Sequence, residues 1–308
     1  MATSNPDQPD RLVKRIAKAI FRPRQLALVA LAVCLPFAGP LLQRWLPDLS
    51  GEGDYRFEVS QIAINEPPHW VPHNLVEQVV VRAKLPPAVS LLDESLTERV
   101  ALAFAGHPWV AEVVQVRKSS FPARVEVRLK YREPVALVEK RTGFYPVNEE
   151  GILLPPEDFS LAETAGYLKI TGVRSSPFSE PGKPWNDPLV ESAAQLAALL
   201  KDDWKSLDLK AIEVPPRSEN EVDLETAVFS LISRGGSKIV WGKAPEVASS
   251  EELDDRGKLE QLRKYFADYG NFELPSGPYE IDIRYDNQIS RQKLPLSREA
   301  RRPFPGLQ

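Results

Sequence analysis

The chain has 308 residues and a net charge of −4, and that charge is uneven: residues 1–24 carry +4 and the rest −8. An acidic bulk argues against nucleic acid as a partner, because phosphate binding needs a basic face. The one cysteine, Cys34, falls near the start, so everything beyond residue 50 lacks an intramolecular disulfide and must be held by core burial.

Residues 1–24 read as a basic cytoplasmic tail and residues 25–46 as a transmembrane helix. Arg11, Lys14, Arg15, Lys18, Arg22 and Arg24 precede the apolar run LALVALAVCLPFAGPLL. From Leu26 to Leu46 a helix would rise about 31 Å, enough to cross a bilayer core. Positive charge before the span predicts a cytoplasmic N-terminus and places the residues after Ser50 on the far side of an inner membrane. A cleaved signal peptide would need a small-x-small step, and QRWLPDLSGEG offers none.

The chain from 55 to 132 predicts a small α+β module. Phe57–Ile64 reads as a strand with a phase slip at Ser60-Gln61, and Asn74–Ala83 as a short helix starting at an asparagine cap. Ser95 and Glu98 have the spacing of a capping box before a second helix, which Gly106 and Pro108 end. Val113–Arg117 and Arg124–Arg132 form a hairpin through SSFP. In the latter Val125, Val127, Leu129 and Tyr131 alternate with charges, so one face is buried and the other wet. The order β-α-α-β-β describes two helices on a three-stranded sheet.

Residues 133–293 predict a second, mostly antiparallel β domain with two helices. Its strands fall at Val135–Lys140, Tyr167–Thr171, Leu209–Val214, Val228–Ile232 and Lys238–Trp241, the last two joined across Arg234-Gly235-Gly236. Asp187 with Pro188 starts one helix, with Leu189, Ala193, Leu196 and Leu200 as its stripe. The other runs from Asp254 or Asp255 through Leu259, Leu262, Phe266 and Tyr269 to Gly270. A last strand, Tyr279–Ile289, places Ile281, Ile283 and Tyr285 on one face. Residues 294–308, basic and proline-rich, are expected to be disordered.

The chemistry expected of this chain is binding rather than catalysis. His69 and His73 have metal-pair spacing, but Pro72 lies between them and no HExxH frame surrounds them. There is no glycine-rich phosphate loop and no G-x-S-x-G elbow. The acidic doublets suit solvated turns and helix N-termini better than a catalytic pair. Neither metal, cofactor nor small-molecule substrate is expected, and no residue is assigned a catalytic role.

One stretch, His107–Lys140 (HPWVAEVVQVRKSSFPARVEVRLKYREPVALVEK), resembles the hairpin of the FtsQ/DivIB family of bacterial cell-division proteins. Pro108-Trp109-Val110 matches the family's "PWV", Pro122 with Val125 and Val127 its hairpin, and Glu133-Pro134-Val135-Ala136 its "(acidic)-x-P-V-A". Phe144–Pro155 and the terminal Ile281–Ile289 are similar to two further family segments. Trp109 plugging a core, or Pro122 turning a hairpin, would also serve any small α+β module. Gln288 stands where the family usually has glycine, and Lys293 where some members carry an aromatic residue.

By this resemblance the first module is a POTRA domain and the second the family's β domain. The implied function is that of a bitopic division scaffold at the septum, without enzymatic activity. Its partners would be small single-span proteins of the FtsB/FtsL type and other divisome components, through which it helps control septal wall synthesis. The implied partner site is the edge of the last strand: Tyr285, which matches the tyrosine of the family's RY pair, followed by Asn287, Gln288 and Ile289. Tyr285 is also in phase with Ile281 and Ile283, so it reads equally as a core aromatic. Two other readings compete. A POTRA-type chaperone for exported or outer-membrane proteins predicts tandem repeats or a following barrel, and an exported wall-active enzyme needs an acid/base pair.

Overall fold

The computed structural model describes residues 56–295, apart from 121, 178–179, 217–222, 246, 248–250 and 287–288. The expected cytoplasmic tail and membrane span lie outside the described residues. Among those described, no helix is long and apolar enough to cross a membrane. The fold is α+β.

The first unit departs from the expected β-α-α-β-β order in two places: the first strand is split, and a short strand lies between the two helices. Arg56–Glu58 (β1) and Ala63–Ile64 (β2) are separated by a 3-10 turn at Val59–Gln61, where the sequence shows its phase slip. The expected continuous strand is therefore two short ones with different partners. β1 pairs antiparallel with Ala88–Ser90 (β3), and β2 pairs parallel with Ala123–Tyr131 (β5). In chain order the helices Leu75–Arg82 (α1) and Leu96–Ala105 (α2) flank β3. Val110–Ser120 (β4), longer than the sequence suggests, is antiparallel to β5, giving the sheet order β2-β5-β4. Val125, Val127 and Leu129 point into the core, as the alternation requires.

The expected Ser95–Glu98 capping box is absent. Ser95 already has helical angles, φ −77° and ψ −10°, and makes no side-chain cap. Asp93 takes that place, its Oδ1 accepting from the Ser95 N–H at 2.9 Å and from Ser95 Oγ at 2.7 Å. A capping box does form where none was expected, at the short helix Leu161–Thr164 (α3). There Ser160 N–H donates to Glu163 Oε2 at 2.7 Å, and Glu163 N–H donates back to Ser160 Oγ at 3.3 Å. α3 is a third helix in the second unit, where two were expected.

The second unit is built on an eight-stranded sheet. Its strands are Ala136–Lys140 (β6), Gly143–Val147 (β7), Leu168–Thr171 (β8), Leu209–Glu213 (β9), Phe229–Ser233 (β10), Lys238–Gly242 (β11), Tyr279–Asp282 (β12) and Ser290–Lys293 (β13). They lie in the order β13-β12-β11-β10-β9-β8-β6-β7. The sheet is mostly antiparallel and partly mixed, since β6–β8, β8–β9 and β11–β12 run parallel. Gly236, at φ +93°, makes the tight β10–β11 turn.

Pro188–Leu199 (α4) starts as read, with Leu189 N–H donating to Asp187 Oδ1 at 3.0 Å, and its whole stripe is buried. Asp255–Tyr269 (α5) is capped by Asp254 and ends at Gly270 in the left-handed region, φ +77°. Its stripe differs from expectation: Tyr265 is buried with Leu259 and Leu262, whereas Tyr269 is 46% exposed.

The two units share their packing. Leu154, from the second, is fully buried in the core of the first, and Trp109 Nε1 donates to Asp158 Oδ2 at 2.7 Å. Phe159 stacks on Trp109, with centroids 5.9 Å apart.

Candidate functional site

The largest correction falls on the last strand. The expected Tyr279–Ile289 strand ends at Asp282, and the chain turns back through Arg284–Asp286 to form β13. The register pairs Tyr279 with Lys293, Ile281 with Arg291 and Asp282 with Ser290. Among the described residues the sheet edge is thus carried by Ser290–Lys293. Tyr285 is half-buried in the turn, Ile289 is 37% exposed beside β13, and Asn287 and Gln288 lie outside the described residues.

Tertiary bonds hold this turn. Arg284 meets Asp282 with two parallel bonds, Nε to Oδ1 at 3.0 Å and Nη2 to Oδ2 at 2.7 Å. Burial alone would raise the Asp282 carboxyl; the Arg284 bonds outweigh it and leave the pKa below its ordinary value. Leu253 N–H donates to Arg284 O at 2.8 Å, and Gln261 Nε2 donates to Tyr285 O at 2.9 Å. The loop before α5 is itself fixed by a buried ion pair, Lys258 to Glu252 at 2.7 Å.

β13 is exposed along its whole length. Leu294 N–H continues the ladder to Pro278 O at 2.9 Å, so by the two-residue period Gln292 and Ser290 bond inward to β12. The backbone groups of Arg291 and Lys293 therefore face outward. Among the described residues, no further strand pairs with β13 on that side. The Arg291 guanidinium sits over Tyr279 at 4.7 Å and Tyr269 at 5.2 Å, and the Tyr265 hydroxyl beside it raises its pKa further.

Next to this edge, α5 and the β12–β13 turn enclose an open groove of about 800 Å³, lined in part by Gln261, Tyr265, Asp286 and Ile289. Two exposed apolar side chains, Tyr269 and Ile289, are among those lining it.

The opposite edge of the sheet, β7, is obstructed at its C-terminal end. β7 carries Pro146, which has no N–H to offer a new strand. Its outer side is taken by Leu154, whose N–H donates to Pro146 O at 2.9 Å, and by a bridge from Val147 to Leu153. The β7 edge is thus obstructed at its Pro146–Val147 end, whereas β13 is exposed along its length.

His69 and His73 do not converge on a metal site: among the described residues no group of three or more His, Cys, Asp or Glu side chains could hold an ion. Of the residues singled out in the sequence, Tyr285 lies in the turn before β13 and Ile289 directly before that strand; the hairpin that makes β13 the edge has no local signal in the sequence. No known family model matches this chain, and no curated protein matches it either.

Proposed function

We propose that this chain is a single-span, membrane-anchored scaffold of the bacterial division machinery, of the FtsQ/DivIB kind, acting by binding rather than catalysis at the division site of the inner membrane. The observation that carries this reading is the asymmetry of the sheet: β7 is obstructed at Pro146 and Val147, while β13 presents the backbone of Arg291 and Lys293 beside the groove. An extended partner segment adding to β13 would gain backbone hydrogen bonds for affinity and seat alternate side chains for register. The first unit would be the POTRA domain, and a small bitopic protein of the FtsB/FtsL type the occupant.

The chaperone reading would use the free edge of β4 instead. Two register shifts, at Val110–Glu112 and Val113–Gln115, interrupt that strand and make it the poorer template.

Lys293→Pro removes one outward N–H without touching the inward bonds of β13. With a photo-crosslinker at position 289 of the full chain in cells, the expected capture is a small single-span protein with a coiled-coil segment. Lys293→Pro should abolish it. Capture of unfolded outer-membrane proteins, or capture unchanged by Lys293→Pro, would refute the edge-strand reading.

A further inference from the structure

The junction of the two units holds a second cleft, of about 430 Å³. Its apolar walls are Trp70, Phe159, Tyr167 and Trp204. Trp70 is fixed by its Nε1 bond to Arg132 O at 3.0 Å, and Phe159 meets Tyr167 edge-on at 5.7 Å. Between these rings stand four carboxylates, Glu133, Asp158, Glu163 and Asp202, against the two lysines Lys201 and Lys205. One lysine is already spent on Glu133, at 2.5 Å, and the other lies over the Trp204 ring at 5.2 Å. The carboxylates crowd the cleft: Tyr167 has its pKa raised by burial and then by Glu163 and Glu133. Aromatic rails with carboxylates suit a segment bearing proline and arginine, since proline-rich chains dock on aromatic grooves and guanidinium groups pair with carboxylates and stack on rings.

This chain has such a segment. Residues 296–308, LSREARRPFPGLQ, lie outside the described residues; they carry Arg298, Arg301 and Arg302 against Glu299, and the run Arg301-Arg302-Pro303-Phe304-Pro305. The topology brings it to the cleft. Lys293, at the end of β13, is level with Tyr279 at the start of β12. Following the ladders, that end of the sheet continues through the starts of β11, β9, β8 and β6. The cleft residues Glu133, Tyr167 and Trp204 lie three, one and five residues before the starts of β6, β8 and β9. From β13 to β8 is five strand spacings in the sheet order, about 24 Å at ~4.8 Å each. Arg301–Pro305 lie six to ten residues beyond Pro295, which is about 19–31 Å of polyproline-like chain at ~3.1 Å per residue.

We propose that the inter-unit cleft is the docking site of this chain's own segment 296–308, with Arg301 and Arg302 among the carboxylates and Pro303-Phe304-Pro305 on the aromatic walls. Docking draws the chain leaving β13 across the end of the sheet and away from the open edge.

The test uses the full chain with a benzophenone side chain at position 304, mixed with an isotopically labelled copy lacking it, irradiated and mapped by mass spectrometry. The expected product is a crosslink within one chain to the peptides carrying Trp70, Phe159–Tyr167 or Trp204. Replacing Arg301 and Arg302 by Glu should lower its yield about fivefold, as for the loss of two partly screened charge pairs. Adding Asp202→Lys, at an exposed position, should recover part of the loss. Crosslinks to the groove beside β13, crosslinks only to the labelled copy, no crosslink at all, or a yield indifferent to the charge reversals would each overturn the proposal.

Discussion

At the scale of single residues, His107 shows how burial sets a side chain's proton. It is buried at the end of α2, with Nε2 3.0 Å from Gln78 Oε1 and Nδ1 3.4 Å from the Trp109 N–H. With Nε2 donating and Nδ1 accepting, the ring must be neutral. Burial, and then the nearby charge of Arg82, push its pKa from 6.5 down to about 4. The unfolded chain thus binds a proton that the folded chain refuses, and stability should fall as the pH drops from 6.5 towards about 4. The loss is about 3 kcal/mol at most, and nearer 2 kcal/mol with solvent screening. Urea denaturation across that window should show the slope in the native sequence and a flatter one in His107→Gln; equal slopes would exclude His107 as its source. Trp109, two residues on, was readable from the sequence as a core plug. Its partner Asp158 was not, because a bond between residues so far apart in the chain leaves no local pattern.

At the scale of elements, local spacing marked where helices begin but not always which side chain caps them. Asp187, Asp254 and Gly270 act as their positions suggest. At α2 the sequence presents Asp93 and Ser95 within three residues, and the backbone there chooses Asp93. Asp93→Ala should lower the denaturation midpoint, as loss of a cap does, whereas Glu98→Ala should leave it close to unchanged. A denaturation series in which Glu98→Ala was the costlier change would restore the capping box. Alternation of apolar residues likewise reports which face is buried, not where hydrogen bonding stops. Ile283 is buried as the alternation demands, yet β12 has already ended. The turn after it is imposed by Arg284, Gln261 and Leu253, the last two from the loop and helix before β12, so the hairpin that moves the candidate edge to Ser290–Lys293 could not be read locally.

At the scale of the whole molecule, the sequence boundary near residue 133 divides the elements but not the packing. Leu154 is 0% exposed in the core of the first unit, and the Trp109–Asp158 bond spans the junction. Shared burial of this kind couples the stabilities of the two units. Leu154→Ala should cost about 2–4 kcal/mol through lost transfer energy and the cavity left behind. Calorimetry should show the whole transition moving together to lower temperature. A variant in which only one of two resolved transitions shifted would show that the units melt independently.

Pro146 bears on assembly as well as on the fold of β7. A sheet able to accept strands on both sides can propagate without limit, each added chain offering a fresh site to the next. Here the growing side is capped by a residue that cannot donate and by a loop already bonded to it. With β7 obstructed at Pro146 and Val147, β13 of one copy cannot pair along β7 of the next, so copies of this chain cannot propagate by joining these two edges.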